Sequence, residues 1–371
     1  MRNMEKCKPN LREILSSAVF ICVIGVLFVL NLVVPAPEVL HSERRVPAKF
    51  PELSVNSVLS GSFMSKFDSY AADSFVSRDA FRRINAFMTL DVYMLNDKAG
   101  LYRSKSVGVG EFRRLNETSF RQTTERISRA AESFAGLDMN IYYSVVPDKS
   151  VFAEKYMPGF NIDAAEAILF EMLGEYEYIR LFDELSADSF YKTDLHWDQT
   201  KIEGAASRIC SAMGANLDLG TYASATAGDF LGVYAGQLAL PVNADIMSYF
   251  DITGLEVSYL NEKTLEFESG PVYDTERFTG LDPYDIFLRG PQPLIVIENG
   301  DAPDRELYLF RDSFGSSLAP LLATAYSRLT VIDLRYIHMM MLDQFIEFQP
   351  GADVLFIYSS QIFNNPSVLL A

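Results

Sequence analysis

The sequence predicts an α/β domain with a mostly parallel sheet and helices on both of its faces, carried by one N-terminal membrane helix. Two observations lead to this fold class. Apolar runs typical of buried strands alternate with amphipathic helical stretches in two long parts of the chain. Near the N-terminus, residues 14–34 form a run of 21 residues without a charge. A length of 371 residues gives room for one large domain or two ordinary ones.

The composition excludes several classes of function. The chain has 49 acidic and 32 basic residues, for a net charge of −17, so it offers no basic surface to a nucleic acid. With three His and three Cys, a structural zinc module would need nearly every candidate ligand. No glycine motif for phosphate binding is present. No metal and no cofactor are therefore predicted.

The charge-free run is predicted to be a transmembrane anchor. At 1.5 Å per residue its 21 residues cross a hydrocarbon core of ~30 Å. The run is longer than the apolar region of a signal peptide and ends in Val-Val-Pro-Ala-Pro, so an uncleaved anchor is favoured over a cleaved leader. We expect residues 1–13 to be a basic cytoplasmic head, residues 14–34 the anchor, residues 35–54 a proline-rich stalk and residues 55–371 an extracytoplasmic domain.

The exported part is strongly acidic and has little scope for disulfides. After removal of the head it contains 28 basic and 47 acidic residues, a net charge of −19. Such a polyanion should be repelled by anionic lipid. Cys210 is its only cysteine outside the anchor, so no intrachain disulfide is expected there and folding must rest on an apolar core.

The order of apolar and polar residues predicts the elements of the exported domain. Helices are predicted at 63–72, 78–95, 117–135 and 164–176, and strands at 140–146 and 178–182. The alternation resumes with strands at 306–310, 329–334 and 353–358 and helices at 315–326 and 339–348. Between these blocks, residues 218–304 carry strands at 255–260 and 264–268 among many turn residues. We interpret that stretch as an insertion rather than an independent domain.

The first segment with catalytic residue types is KTDLHWD at residues 192–198, which leads into an amphipathic helix. Asp198 suits the N-cap of that helix. His196 precedes the helix, where the positive end of the dipole favours the neutral ring that a general base requires. Asp194 stands two residues earlier, and in an extended segment its carboxylate would face the ring and fix its tautomer. From this segment alone, a structural His packed under Trp197 is an equal alternative.

The second segment is LYLFRDSFGSS at residues 307–317, where an apolar strand stops at a polar pair and a helix begins. Ser313 is expected at the carboxyl edge of the sheet, where open α/β folds bind ligands. The backbone N–H groups of Phe314 and Gly315 would face an oxyanion formed by attack of Ser313. Taken alone, a helix cap at Asp312 or Ser313 is the simpler alternative. Together with the first segment, the serine completes the constellation of a hydrolase or acyltransferase.

At these residues the sequence resembles the DHHW proteins, cell-surface proteins of low-GC Gram-positive bacteria. Asp194-Leu195-His196-Trp197 corresponds to the D-H-H-W block, with Leu195 in place of the first His. Further blocks match in order: the Arg78-Asp79 segment, DPYDIFLRG at 282–290, DSFG at 312–315 and VIDLRY at 331–336. The resemblance spans most of residues 55–360.

DHHW proteins are similar in turn to the alginate O-acetylating proteins, whose domain is SGNH-hydrolase-like and carries D-x-H-W and G-D-S blocks. The resemblance implies a three-layer α/β/α fold of the SGNH-hydrolase type. The matching positions are Asp194, His196 and Ser313, the same three residues that the chemistry above selects. Arg311 stands where G-D-S has Gly, and the Asp/His block precedes the serine, a permuted order relative to ordinary SGNH hydrolases.

Three further residues, Trp197, Arg335 and Tyr336, are predicted to contact a ligand, and Lys149 is a fourth candidate. Trp197, the only Trp, adjoins the Asp/His pair. Arg335 and Tyr336 end a predicted strand and could hold a sugar or a carboxylate, although Arg335 could equally form an ion pair with Asp333. Lys149, after Val-Pro-Asp, is expected first as a turn residue and second as a ligand contact.

These observations predict a membrane-anchored extracytoplasmic serine O-acetyltransferase or esterase that acts on a cell-envelope polysaccharide. Ser313 would be acylated, His196 would act as base and then acid, and Asp194 would orient it. Acetyl-coenzyme A is cytosolic, so a transferase would need a multi-pass membrane acyltransferase as partner, which the alginate resemblance also implies. The alternatives are a catalytically inactive glycan-binding or envelope-assembly scaffold and a metal hydrolase that uses Asp194, His196 and Asp312.

Overall fold

The structure is a computed structural model that describes residues 10–154, 160–365 and 367–370. The chain divides into two compact units, Met1–Met88 and Thr89–Ala371. The expected domain start at residue 55 differs from this division, since residues 55–88 group with the N-terminal unit. Most of the expected head at 1–13, including its basic residues before position 10, lies outside the described residues.

In its described residues the N-terminal unit contains four α-helices, α1 Leu11–Val33, α2 Val55–Leu59, α3 Ser62–Ser74 and α4 Arg78–Phe87. Helix α1 begins at a capping box in which Asn10 accepts from the Glu13 N–H and Glu13 accepts from the Asn10 N–H, both at 2.9 Å. Among the described residues, α1 alone is long and apolar enough to cross a membrane. The stalk folds back onto α3, because Arg45 donates to both carboxylate oxygens of buried Asp73 at 2.6 and 2.7 Å.

The second unit contains twelve described strands and six described α-helices. The strands are β1 Leu101–Ser104, β2 Gly108–Glu111, β3 Asn140–Val146, β4 Glu177–Tyr178, β5 Ser224–Phe230, β6 Asp245–Phe250, β7 Leu255–Leu260, β8 Phe267–Gly270, β9 Leu294–Asn299, β10 Glu306–Arg311, β11 Arg328–Ile332 and β12 Asp353–Ser359. The helices are α5 Glu117–Glu132, α6 Ile162–Leu173, α7 Glu203–Ala212, α8 Val233–Leu238, α9 Phe314–Leu322 and α10 Ser360–Phe363.

Eight of these strands form one central sheet in the order β4-β3-β12-β10-β11-β9-β7-β8. The first five run parallel, and β9, β7 and β8 extend the sheet by antiparallel pairing. Strand pairs β1/β2 and β5/β6 form two small antiparallel sheets beside it. The predicted α/β class with a mostly parallel sheet is therefore confirmed.

Helices cover both faces of the sheet, because side chains alternate along each buried strand. In β10, Leu307 and Leu309 join the core under α7 and α9, whereas Tyr308 and Phe310 join the core under α5, α6 and α10. Strand β12 divides in the same way, with Leu355 on the α9 face. The result is the three-layer α/β/α arrangement that was predicted.

The structure differs from the predicted elements in two places, at the helix expected at 339–348 and at strand β9. The predicted helix at 339–348 is a 3₁₀ segment, Met339–Gln344, because Met340 and Met341 are exposed and Leu342 alone is buried, so the run has no continuous apolar face. The stretch 218–304, interpreted from the sequence as an insertion rather than an independent domain, lies within the second unit and supplies β7, β8 and β9 to the central sheet. Strand β9 was not predicted, although its first four residues, Leu-Ile-Val-Ile, are fully apolar.

Candidate active site

The carboxyl ends of the parallel strands collect polar residues at one edge of the sheet. Ser313 follows β10, Asp333 follows β11, Lys149 follows β3 and Ser359 ends β12. Parallel neighbours end at the same edge, which is where open α/β sheets bind ligands. The segment that contains Asp194 and His196 lies outside the strands of the central sheet and reaches this edge at Ser313.

Ser313 is the N-cap residue of α9, yet its side chain makes no capping hydrogen bond. That task falls to Asp312, whose buried carboxylate accepts from the backbone N–H of Phe314 at 3.0 Å and of Ser359 at 2.8 Å. Asp312 thereby fixes the turn between β10 and α9. The hydroxyl of Ser313 is left for another partner, and the helix-cap alternative holds for Asp312 alone.

The His and Asp come together in a turn rather than in the extended segment expected from the sequence. The backbone N–H of His196 donates to Asp194 Oδ1 at 3.0 Å, which is an Asx-turn contact. The other carboxylate oxygen accepts from the Val233 N–H, at the start of α8, at 2.8 Å. Gly232 makes this approach possible, because a Cβ there would lie 2.3 Å from the Asp194 Cβ. Asp194 is therefore held on two sides and is fully buried.

Ser313, His196 and Asp194 form a continuous hydrogen-bonded line. The Nδ1 atom of His196 lies 2.7 Å from Asp194 Oδ1, and its Nε2 atom lies 2.8 Å from Ser313 Oγ. A carboxylate only accepts, so Nδ1 carries the hydrogen and, in the neutral ring, Nε2 accepts a hydrogen bond from the Ser313 hydroxyl. Burial follows the same order, from fully buried Asp194 through nearly buried His196 to partly exposed Ser313. This is the geometry of an activated serine nucleophile.

Trp197 is fully buried, so the expected ligand contact is wrong for this residue. Its indole N–H donates to Ser317 Oγ at 2.8 Å and to the Phe314 carbonyl at 3.1 Å. Both acceptors belong to α9. The only Trp of the chain thus joins the Asp/His turn to helix α9, which follows Ser313. Its neighbour in the sequence, His196, is the residue that faces the site.

Tyr284 belongs to the site and was not predicted from the sequence. Its ring stacks on His196, with centroids 3.9 Å apart and planes at 10°, and its hydroxyl donates to Ser317 Oγ at 2.7 Å. Complete burial raises the pKa of this phenol well above its usual value, so the hydroxyl stays protonated. The available signal was the DPYDIFLRG block, because this tyrosine lies in one of the segments that resemble the DHHW proteins.

Lys149 is neither an exposed turn residue nor a ligand contact. Its buried ammonium donates to the carbonyls of Asp194 at 2.6 Å and Tyr191 at 2.8 Å, with the Lys192 carbonyl at 3.4 Å. Burial lowers the pKa of Lys149 to about 8. The side chain therefore ties the end of β3 to the turn that presents Asp194 and His196.

The backbone N–H groups of Phe314 and Gly315, expected as oxyanion donors, already have acceptors. Phe314 donates to the Asp312 carboxylate at 3.0 Å and Gly315 to the Asp312 carbonyl at 3.0 Å. In the part of the chain that the structure describes, the N–H of Ser313 itself has no acceptor. The donor best placed for an oxyanion is thus one residue earlier than expected.

Arg335 is engaged by Asp333, as the alternative interpretation expected. Its Nε and Nη2 donate to the two oxygens of that buried carboxylate at 2.8 and 2.6 Å, and buried Arg311 contacts the same group at 3.1 Å. The Arg335 side chain is 17% exposed. Tyr336 is half-exposed and its ring lies 5.3 Å from the Arg335 guanidinium. A role for this pair in ligand binding stays a prediction.

The donor set of the metal-hydrolase alternative is not assembled. Among residues 10–154, 160–365 and 367–370, no three His, Cys, Asp or Glu side chains converge to hold a metal ion. The Asp312 carboxylate is turned toward two backbone N–H groups, and Asp194 is oriented by its own turn. These contacts favour a proton-transfer role for His196 over metal ligation.

Fold and geometry together define a class: an SGNH-hydrolase-like α/β/α domain with a Ser-His-Asp line at the carboxyl edge of its sheet. Solved structures of other proteins have a similar fold. A DHHW family protein from Eubacterium siraeum covers 71% of this chain and 93% of its own at 19% identity, with a TM-score of 0.56. PatB1 of Bacillus cereus, also solved with a sulfonyl adduct, covers 71% of this chain and 96% of its own at 16–18% identity, with a TM-score of 0.55.

A weaker similarity links the chain to the O-acetyltransferase domain of Pseudomonas putida AlgJ, at 10% identity and a TM-score of 0.44. No protein-family model matches the chain, and no curated protein sequence matches it either. The similarity to a DHHW family protein, expected from the sequence blocks, is confirmed at the level of the fold.

Proposed function

We propose that this chain is a membrane-anchored extracytoplasmic serine O-acetyltransferase or esterase that acts on a cell-envelope polysaccharide. The observation that carries the proposal is the hydrogen-bonded line from Ser313 Oγ through His196 to Asp194, at 2.8 and 2.7 Å. Such a line is what a serine needs to attack an acyl carbon at neutral pH.

In the first half-reaction, Ser313 Oγ attacks the carbonyl carbon of an acyl donor while its proton passes to His196 Nε2. The Asp194 carboxylate stabilises the resulting imidazolium through Nδ1. When the tetrahedral intermediate collapses, the bond to the leaving oxygen breaks and that oxygen takes the proton from Nε2. An acyl ester on Ser313 remains.

In the second half-reaction, a sugar hydroxyl or a water molecule attacks the acyl-serine. His196 now removes the proton of the attacking group and returns it to Ser313 Oγ. Transfer to a sugar gives an O-acetylated glycan, whereas attack by water gives net ester hydrolysis. The Ser313 N–H is the donor we assign to the oxyanion in both steps.

Helix α1 supports the proposed location. It is a possible single membrane span near the N-terminus, and the basic residues before it favour a cytoplasmic head. With the second unit outside the membrane, acyl groups would arrive through a multi-pass membrane acyltransferase. The expected glycan contacts, Arg335 and Tyr336, lie after the strand next to β10.

One observation favours the inactive glycan-binding or envelope-assembly scaffold as a second candidate. Phe314 and Gly315 both have their N–H groups occupied, so fewer backbone donors are free to stabilise an oxyanion than the sequence predicted. A scaffold of this kind would bind glycan equally well after Ser313→Ala and His196→Ala, and it would turn over no acetyl ester.

The test is covalent labelling of the full chain with a fluorophosphonate or a sulfonyl fluoride. We expect labelling of the wild type, loss in Ser313→Ala and a rate reduced by about 10²-fold or more in His196→Ala. Ser316→Ala, which changes a neighbouring buried serine of α9, is the matched control and should label normally. A folded wild type that never labels would support the inactive scaffold.

A further inference from the structure

Helix α4 of the N-terminal unit presents an exposed apolar face. Phe81, Ile84 and Phe87 recur every three residues and are 46%, 59% and 51% exposed. Phe75 extends the same surface, with its ring 5.5 Å from that of Phe81 in an edge-on contact. Contiguous apolar surface of this kind marks a site of interaction with a partner or a membrane.

A hydrogen bond places the segment just before α4 near the end of the apolar helix α1. Asn31 Oδ1 accepts the backbone N–H of Val76 at 2.9 Å, and Val76 lies two residues before α4. Asn31 is two residues from the end of α1, which is about 3 Å along the helix axis. The apolar run matches a hydrocarbon core of ~30 Å, so with α1 across the membrane Val76 would lie at the boundary between acyl chains and headgroups.

The charge of this part of the chain is compatible with contact to lipid. Residues 35–88 contain 7 basic and 6 acidic residues, whereas residues 89–371 contain 21 basic and 41 acidic residues. Repulsion from anionic lipid is therefore a property of the second unit. On α4, Arg78 and Arg82 turn toward the protein, where they contact Glu43 at 2.6 and 3.1 Å. The opposite flank of the helix is the apolar one.

We propose that α4 is an interfacial helix that buries Phe81, Ile84 and Phe87 at the boundary of headgroups and acyl chains in the outer leaflet. The proposal rests on α1 spanning the membrane, as the proposed function holds. Amphipathic helices that lie in the interface bury their apolar face by ~5–10 Å. The N-terminal unit then has two attachments to the bilayer, α1 across it and α4 in its surface.

Tryptophan fluorescence of the full chain in phosphatidylcholine vesicles tests this directly, because Trp197 is fully buried and gives a constant background. The variant Ile84→Trp reports on the apolar face. Arg83→Trp is the matched control, one residue along and turned by about 100° around the helix. We expect brominated acyl chains to lower the Ile84→Trp signal by about twofold or more and to leave the Arg83→Trp signal nearly unchanged.

A third variant, Val23→Trp in the middle of α1, separates the two claims. If brominated lipid quenches Val23→Trp and not Ile84→Trp, α1 spans the membrane but α4 does not lie in its surface. That result overturns the interfacial role of α4, and it does so whether water or protein covers the apolar face of α4. If neither is quenched, the anchor itself fails. Equal quenching at Ile84→Trp and Arg83→Trp would also contradict the proposal, because it would show no orientation of the helix.

Discussion

The Lys149 ammonium donates a hydrogen bond of 2.6 Å to the carbonyl oxygen of Asp194, so the end of β3 holds the turn that presents the His/Asp pair. This places Lys149 as a positioning residue, since it contacts backbone atoms of the turn and no reacting group. Replacement by Met removes its hydrogen bonds to the turn. We expect Lys149→Met to lower kcat by about 10–10²-fold with little change in KM, because a displacement near 1 Å costs this much.

Lys149 also predicts a pH dependence. Its pKa is lowered from 10.5 to about 8, so the ammonium loses its proton as the pH rises through about 8 and the turn loses a donor. Activity should fall on the alkaline side of pH 8 in the wild type. In Lys149→Arg, which stays charged, that alkaline decline should be absent even if the activity is lower. An unchanged alkaline profile in Lys149→Arg would contradict the assignment.

The stability of the fold should respond to pH in the opposite sense. Between pH 8 and 10.5 the unfolded chain keeps a proton on Lys149 that the folded chain has released. The unfolded state then binds more protons, so this group makes the free energy of unfolding rise with pH across that window. Chemical denaturation at several pH values, compared between the wild type and Lys149→Met, measures the contribution.

Asp194→Asn should reduce kcat by about 10³–10⁴-fold, because the carboxylate fixes the tautomer of His196 and stabilises its charged form. The amide cannot replace the carboxylate in this setting. Both carboxylate oxygens accept backbone or ring N–H groups, so the NH₂ of Asn would face a donor. A stability loss of about 1–3 kcal/mol should accompany the kinetic effect. Wild-type kcat in a folded Asp194→Asn protein would exclude the triad.

Two substitutions of Tyr284 separate the contribution of its ring from that of its hydroxyl. In Tyr284→Phe the ring still stacks on His196 and only the bond to Ser317 is lost, so we expect a small change in kcat. In Tyr284→Leu the imidazolium form of His196 in the proposed reaction loses its contact with the aromatic ring face. Such a contact is worth ~0.5–2 kcal/mol, so kcat should fall by about 10-fold. Equal kcat values for the two variants would show that stacking on His196 has no catalytic effect.

Gly232 tests the packing around Asp194. A Cβ at this position would lie 2.3 Å from the Asp194 Cβ and 2.4 Å from the Thr193 carbonyl, so Gly232→Ala must displace the turn or the start of α8. We expect a stability loss of about 1–3 kcal/mol and a kcat lowered by about 10-fold or more. Gly220→Ala is the matched control, since its Cβ would meet nothing closer than 3.4 Å. Comparable losses in the two variants would count against this account.

Much of the sheet could be predicted because its strands are short apolar runs next to amphipathic helices. The carboxyl edge followed from parallel pairing, and it correctly placed Ser313 after β10. The pairing of β7, β8 and β9 with this sheet could not be predicted, because antiparallel extension leaves no mark within a single strand. The helix expected at 339–348 failed because helical spacing alone does not reveal which face a core will cover.

The Ser-His-Asp line was predictable from residue types, whereas the contacts that hold Asp194 and His196 in place were not. Asp194 reaches His196 through an Asx-turn, and the tight approach of Gly232 depends on a chain crossing 38 residues later in the sequence. Trp197 was assigned to ligand binding because it adjoins the Asp/His pair in the sequence. Only the structure shows that its indole is turned into the core, onto α9.

The proposed role of Ser313 as the nucleophile is tested most directly by locating the acyl group on the acyl-enzyme. The full chain is treated with an acetyl ester, quenched and mapped by peptide mass spectrometry in the wild type, Ser313→Ala and His196→Ala. We expect an acetyl group on Ser313 in the wild type, none in Ser313→Ala and strongly slowed acetylation in His196→Ala. A folded wild type that hydrolyses the ester without acetylation of Ser313, or acetylates another residue at the same rate, would contradict it.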